Sequence, residues 1–428
     1  MTITAEERLK ERVYTTRDTC RLCGSKDLVE VWSAGETPLA NSYVTPEEVA
    51  RHVPEAFAPL RVFSCRTCYL IQLRDVVNPD ALFRQYLYVS STSPSFVKHF
   101  EDYANHLRQR FHLTRTSLVI DVGSNDGVLL RPLQQAEIRV LGIDPAENLA
   151  AEATAKGIFT LPEYFSPPVA SRVLREHGPA AVIAANNVFA HTDGIDTFLE
   201  AVKTLLAPDG VYVFEVQYLR DLVEKNLFDI VYHEHVNYYH LTPLVSYMEK
   251  HGMEVFDVQR VPVHGGSIRV FVQRQGGTHP RSETVARMMG EEALTGLNDL
   301  SVYQTFAMRI AENGKKLRAL LQEIRASGKR VVGYGAPAKA TTLMYAFGLT
   351  GNDLEYIVDD APLKQGRLMP GTHVPIVSSE QLYADKPDYC LILAWNFADQ
   401  IREKHRGYAA DGRKFIVPVP EPRILADL

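Results

Sequence analysis

Short apolar runs alternate with stretches of helical period through the middle of the chain. Residues 118–122 are apolar apart from Asp121 and end in Gly123-Ser124-Asn125-Asp126-Gly127, small residues that permit a sharp turn. A helix should follow, with Asp126 placed to cap it. A second run, 139–143, then delivers Asp144. Runs at 180–185 and 210–216, with a short one near 157–161, continue the strand and helix order of a parallel sheet covered on both faces. The runs 254–260 and 267–273 flank Gly265-Gly266 and read as an antiparallel pair closing that sheet.

Outside this stretch the period changes. Residues 69–74 alternate as a strand, and a helix is expected over 94–111. A longer one over 301–326 carries apolar residues at Val302, Phe306, Ile310, Leu317, Leu320, Leu321 and Ile324. Arg330 to Lys339, RVVGYGAPAK, then reads as strand, glycine turn and helix start, with strands near 354–358, 389–394 and 414–419. The pattern predicts an α/β protein of three parts: an amino-terminal module (1–92), a central domain (93–279), and connecting helices with a smaller α/β domain (280–428).

Composition narrows the class. The 428 residues are 46% hydrophobic and 23% charged, as in a soluble globular protein, and the net charge of −6 offers no footprint for nucleic acid or an anionic membrane. The first residues lack the apolar core of a leader peptide, and no run could span a bilayer, so the cytoplasm is expected. Four of the five cysteines form two C-x-x-C pairs, Cys20/Cys23 and Cys65/Cys68. In a reducing compartment these suit one structural tetrahedral zinc, closing a loop too polar and proline-rich to bury a large core alone.

The turn at residues 121–127 and Asp144 together suit a nucleoside cofactor, because an acid ending the second strand can accept both ribose hydroxyls. Acids at Asp121 and Asp126 would repel a pyrophosphate and favour S-adenosylmethionine, with its sulfonium and ammonium groups. Glu163 and the aromatics beside it could frame the adenine, and Asn187 and His191 would face the methionine end. The densest cluster, Tyr232-His233-Glu234-His235, lacks the zincin spacing; in a turning loop Tyr232, Glu234 and one histidine could converge on one bound molecule. Lys339 and Lys364 could hold the diphosphate or nucleoside of a sugar nucleotide, the rival reading being a vestigial domain that only buttresses the site.

The two cysteine knuckles, D-x-G-x-N-D-G, N-x-x-A-H at 187–191, Y-H-E-H at 232–235 and G-Y-G-A-P-A-K occur together over nearly the whole chain. In this they resemble the deoxysugar C-methyltransferases, of which tetronitrose C-methyltransferase is one. The resemblance implies a class I methyltransferase sheet and transfer of a methyl group to the carbon beside the ketone of a nucleoside-diphosphate-4-keto-deoxyhexose. It implies Tyr86, His191, Tyr232, Glu234 and His235 as active-site residues, with His235 as the base. On chemical grounds a neutral histidine near its ordinary pKa can take the proton, and Glu234 could orient or polarise it. Asn125, where most class I methyltransferases have glycine, is shared by this family. Two other readings stand beside it: another carbonyl-activated natural-product acceptor, and a non-catalytic zinc-containing scaffold.

Overall fold

A computed structural model describes residues 13–86, 88–410 and 412–425; most of the stretch read as lacking a leader lies outside them. The amino-terminal module is a small β-structure. Strand β1 (Tyr14–Thr16) pairs with β5 (Asp75–Val77), while β2 (Leu28–Pro38), β3 (Phe57–Cys65) and β4 (Ile71–Leu73) form an antiparallel sheet joined by β11 (Asn237–Tyr238), a strand from much later in the chain.

Two sequence expectations fail here. The segment between the cysteine pairs is no polar loop: it supplies β2 and β3, whose Trp32, Leu60 and Val62 join a core shared with Tyr303, Phe306 and Ile310 of the long helix. Pro59 is tolerated because it lies where β3 has β2 on one side and lacks β4 on the other. Nor does β4 alternate, since all three of its residues are buried between β3 and Asn237–Tyr238.

The central sheet has seven strands: β6 (Leu118–Val122), β7 (Arg139–Ile143), β8 (Thr160–Leu161), β9 (Ala180–Asn186), β10 (Leu206–Gln217), β12 (Met253–Val261) and β13 (Ser267–Arg274). Their order is β12-β13-β10-β9-β6-β7-β8, antiparallel only at the β13 pairings, as the hydrophobic pattern predicts. Every residue of β6 is buried, which explains a run apolar at every position but Asp121. Asp126 does not cap the next helix; Leu130–Gln135 starts later without a side-chain cap, and both Asp126 carboxylate oxygens are buried without a partner among the described residues.

The third sheet contains β14 (Val331–Tyr334), β15 (Ile357–Val358), β16 (Ile376–Val377), β17 (Tyr389–Ile392), β18 (Lys414–Val417) and β19 (Arg423–Ile424), ordered β16-β15-β14-β17-β18-β19. The two-residue strands β16 and β19 gave no sequence signal. This sheet repeats the turn of the central one. Gly123 donates its amide to the Ile143 carbonyl at 2.7 Å, and Asp144 accepts from the amides of Asn125 (2.7 Å) and Ala146 (2.8 Å). Likewise Gly335 donates to the Val358 carbonyl at 2.7 Å, and Asp359 accepts from Ala336 (2.7 Å) and Ala361 (2.8 Å). No described helix is long and apolar enough to cross a membrane.

Candidate active site

One cavity of about 570 Å³ collects residues from all three parts: Asn41 and Tyr86, the carboxyl ends of the central strands, and the glycine turn of the third sheet. Its floor is the first turn. Gly123 (φ +67°) leaves room for Val188, which a β-carbon would meet at 2.2 Å, and Asn125 holds the left-handed conformation (φ +51°) while its side chain accepts from the Ser90 amide. Asp121, Gly123, Asn125 and Asp144 line the space; Asp126 and Gly127 lie behind it. Burial, reinforced by Asp144 and Glu215, pushes the Asp121 carboxyl well above the ordinary range. Burial also raises Asp144, against its two amide bonds.

Several buried polar atoms facing this end have no partner among the described residues: Asp121 Oδ1, Ser124 Oγ, both polar atoms of Asn186, Asn187 Oδ1 and His191 Nε2. Such atoms are costly to bury unless a ligand completes them. Acceptors predominate, and no lysine or arginine belongs to this floor, which suits a cationic, donor-rich molecule. Glu163 is not in the lining: its carboxylate pairs with Arg172, and Tyr164 and Phe165 take the wall position instead.

Across the cavity stands the cluster from residues 232–240. His235 Nδ1 lies 2.6 Å from the Ile230 carbonyl, which can only accept, so the proton sits on Nδ1 and Nε2 keeps its lone pair. Among the described residues, the only side-chain group bonded to Nε2 is Gln217, at 3.4 Å. Burial lowers the imidazole to about 4 rather than leaving it near its ordinary value. Rings of Tyr232 and His191 stand 4.2 and 4.9 Å from that of His235. His191 is pushed well below the usual range by burial and by His235.

Glu234 does not orient the histidine. The chain turns here, with the His235 amide bonded to the Tyr232 carbonyl, and Glu234 points behind the lining to accept from Tyr86 Oη (2.7 Å) and Asn41 Nδ2 (2.5 Å). Burial raises its carboxyl to about 7, against both bonds. His233 faces away and bonds the Ala58 carbonyl.

From the third sheet come Lys339, over the Trp395 ring at 4.0 Å and bonded to Asn396, and Lys364, which donates to the Ala336 carbonyl at 2.8 Å. Burial lowers Lys339 to about 8, against the pull of Asp229. Sequence reasoning missed Asn41, His264 and Asn396 as lining residues. His264 was concealed inside an apparent hairpin turn, where it adopts φ +53°.

The four cysteine sulfurs lie within 4.8 Å of one another, with Cys20 to Cys68 at 3.5 Å and Cys23 to Cys65 at 3.6 Å. Four thiolates around tetrahedral zinc stand about 3.8 Å apart, so these residues fit the ion with shifts on the order of an ångström.

A class I seven-stranded sheet with this turn defines an S-adenosylmethionine-dependent methyltransferase carrying a zinc module. Family models agree, matching "Putative zinc binding domain" at residues 20–83, "Methyltransferase domain" at 96–258 and "C-methyltransferase C-terminal domain" at 262–420. C-methyltransferase NovU of Streptomyces niveus is 40% identical over 409 residues, covering 96% of this chain and 97% of that protein. The chain belongs to this family of C-methyltransferases. Among solved structures, magnesium protoporphyrin IX methyltransferase of Synechocystis PCC 6803 with bound SAM is similar over 42% of this chain and 79% of its own (15% identity, TM-score 0.31). The CcbJ methyltransferase of Streptomyces caelestis is similar over 41% and 90% (13% identity, TM-score 0.33).

Proposed function

We propose that the acceptor is a nucleoside-diphosphate-4-keto-deoxysugar, methylated at the carbon beside the ketone, with His235 as the base. The observation that carries this reading is the unprotonated Nε2 of His235, held by a long bond from the Gln217 amide at 3.4 Å, in a residue lining a cavity shared by the cofactor turn and the lysine-bearing turn of the third sheet. S-adenosylmethionine, when bound, supplies a methyl group on a sulfonium. Asp144 would hold the ribose hydroxyls, with Asp121, Asn125 and Asn187 around the remainder.

His235 Nε2 takes the proton from the carbon next to the carbonyl, and the electron pair left there becomes an enolate. Tyr232 or His191, both at the cavity wall, donates to the enolate oxygen, the Tyr86 hydroxyl proton being already given to Glu234. The methyl group would pass to that carbon, its carrier left as the neutral thioether, while His235 holds the proton on Nε2 until it passes to solvent. Glu234, behind the wall, fixes Tyr86. Lys339 and Lys364 would meet the diphosphate. The cytoplasm suits the thiolates, which stay reduced there.

Incubation with labelled methyl donor and a panel of nucleoside-diphosphate keto-sugars, with mass spectrometry of the products, tests the proposal. Label should enter a carbon of the sugar. Methylation of a simpler keto acid instead, with no sugar accepted, would favour another carbonyl-activated acceptor.

A further inference from the structure

The zinc module and the cavity are joined through a buried arginine that reaches a half-exposed aspartate on the cavity wall. Arg21, between Cys20 and Cys23, has a fully buried side chain, and its Nε donates to Asp193 Oδ1 at 2.8 Å. Its backbone amide and Nη1 both donate to Gln72 Oε1, at 3.2 and 3.0 Å, and Nη1 also donates to the Leu73 carbonyl. Arg17, from the same module, reaches the same Asp193 oxygen at 3.3 Å.

Asp193 belongs to the cavity wall and follows His191 and Thr192, which also line it. That short loop is gripped at two further points. Asn237, paired with Gln72 of the module's sheet, donates to the Thr192 carbonyl at 2.9 Å. Phe83 stacks on the His191 ring at 5.5 Å with an interplanar angle of 8°. A guanidinium with no exposed surface is fixed once the two flanking thiolates are fixed, because its backbone lies inside the knuckle they form.

We infer that Arg21 is a positioning residue: it transmits the geometry of the metal knuckle through Asp193 to the loop that carries His191, so that zinc binding sets the catalytic cavity as well as the module's fold. The inference does not depend on which acceptor is methylated. It explains why a module without an open metal position is built against a methyltransferase sheet.

Amide exchange of the full-length zinc-loaded protein, read by mass spectrometry, provides the test. In Arg21→Met, with one zinc per chain still present, exchange over residues 188–194 should quicken at least tenfold while β6 is unchanged. Arg21→Lys, which keeps the charge and loses the fork, should fall between. Should Arg21→Met lose zinc or fail to fold, Asp193→Asn, outside the knuckle, gives the same reading. With an accepted substrate, kcat should drop at least tenfold at unchanged cofactor KM. Unchanged exchange over 188–194 with zinc retained overturns the inference, and so does a uniform rise across the chain, which marks a merely structural pair.

Discussion

His235 shows how far burial reshapes a residue that sequence alone can name. A base that is charged near pH 6.5 would have to lose its proton before acting, whereas at about 4 this imidazole is neutral throughout the working range. The pH dependence must then come from its neighbours. Glu234, at about 7, accepts from Tyr86 and Asn41, both donors, so the ionised form holds the pair and activity should rise as pH passes 7. Lys339, at about 8 and facing Asp229 and His264, is cationic only below that value, so activity should fall above it. We expect a bell-shaped kcat/KM profile with limbs near 7 and 8; Glu234→Gln should abolish the lower limb, and its survival would contradict this assignment. His235→Ala should lose about 10² to 10⁴ in kcat while S-adenosylhomocysteine still shifts the melting temperature. The sequence displayed Tyr86, His191, Tyr232, Glu234, His235 and Lys339, though not Asn41 or His264. It could not show that a tight turn at 232–235 sends Glu234 behind Tyr86, because alternation along an extended strand suggests the reverse.

Elements were legible where their pattern is long. The central strands and the helix Leu300–Ala326 follow from their periods within a few residues. The arms β2 and β3 did not, since prolines and charges between the cysteines resemble a loop until the partner surface of that helix is known. The same limit hid His264. It sits at positive φ beside Gly265 and Gly266, and a β-carbon on Gly266 would lie 2.2 Å from Asp221 Oδ2, at φ +143°. Asp221 has little freedom to yield, being buried and paired with Arg260 and Lys225. Gly266→Ala should therefore destabilise the protein by about 2 kcal/mol or more in urea unfolding. A cost below about half a kcal/mol would mean that this turn relaxes freely. Because His264 faces the cavity from the same turn, the melting loss should be accompanied by weaker binding of S-adenosylhomocysteine.

At the scale of the molecule, the third sheet decides whether the chain recognises a nucleotide or merely closes a lid of protein over its cofactor. Its glycine turn repeats the cofactor turn bond for bond, but the outcome differs: Asp359 has Lys364 3.6 Å away, whereas Asp144 has no cation among its described partners. A cationic turn suits an anion and an acidic one a sulfonium, so the two turns divide one cavity into ends of opposite preference. Lys339 adds a second amine, buried against Asn396 and the Trp395 ring with Asp229 as its opposing charge, and a diphosphate would relieve the cost of that burial more completely. Thermal-shift titration with thymidine diphosphate should therefore stabilise the wild type and fail with Lys339→Ala, while the shift from S-adenosylhomocysteine stays the same in both. Lys364→Ala should weaken the nucleotide response by a smaller factor, because its ammonium is already shared with the Ala336 carbonyl and Asp359. If both variants respond to the nucleotide as the wild type does, the third sheet is a buttress, and selection of the acceptor falls to the tyrosines and histidines opposite.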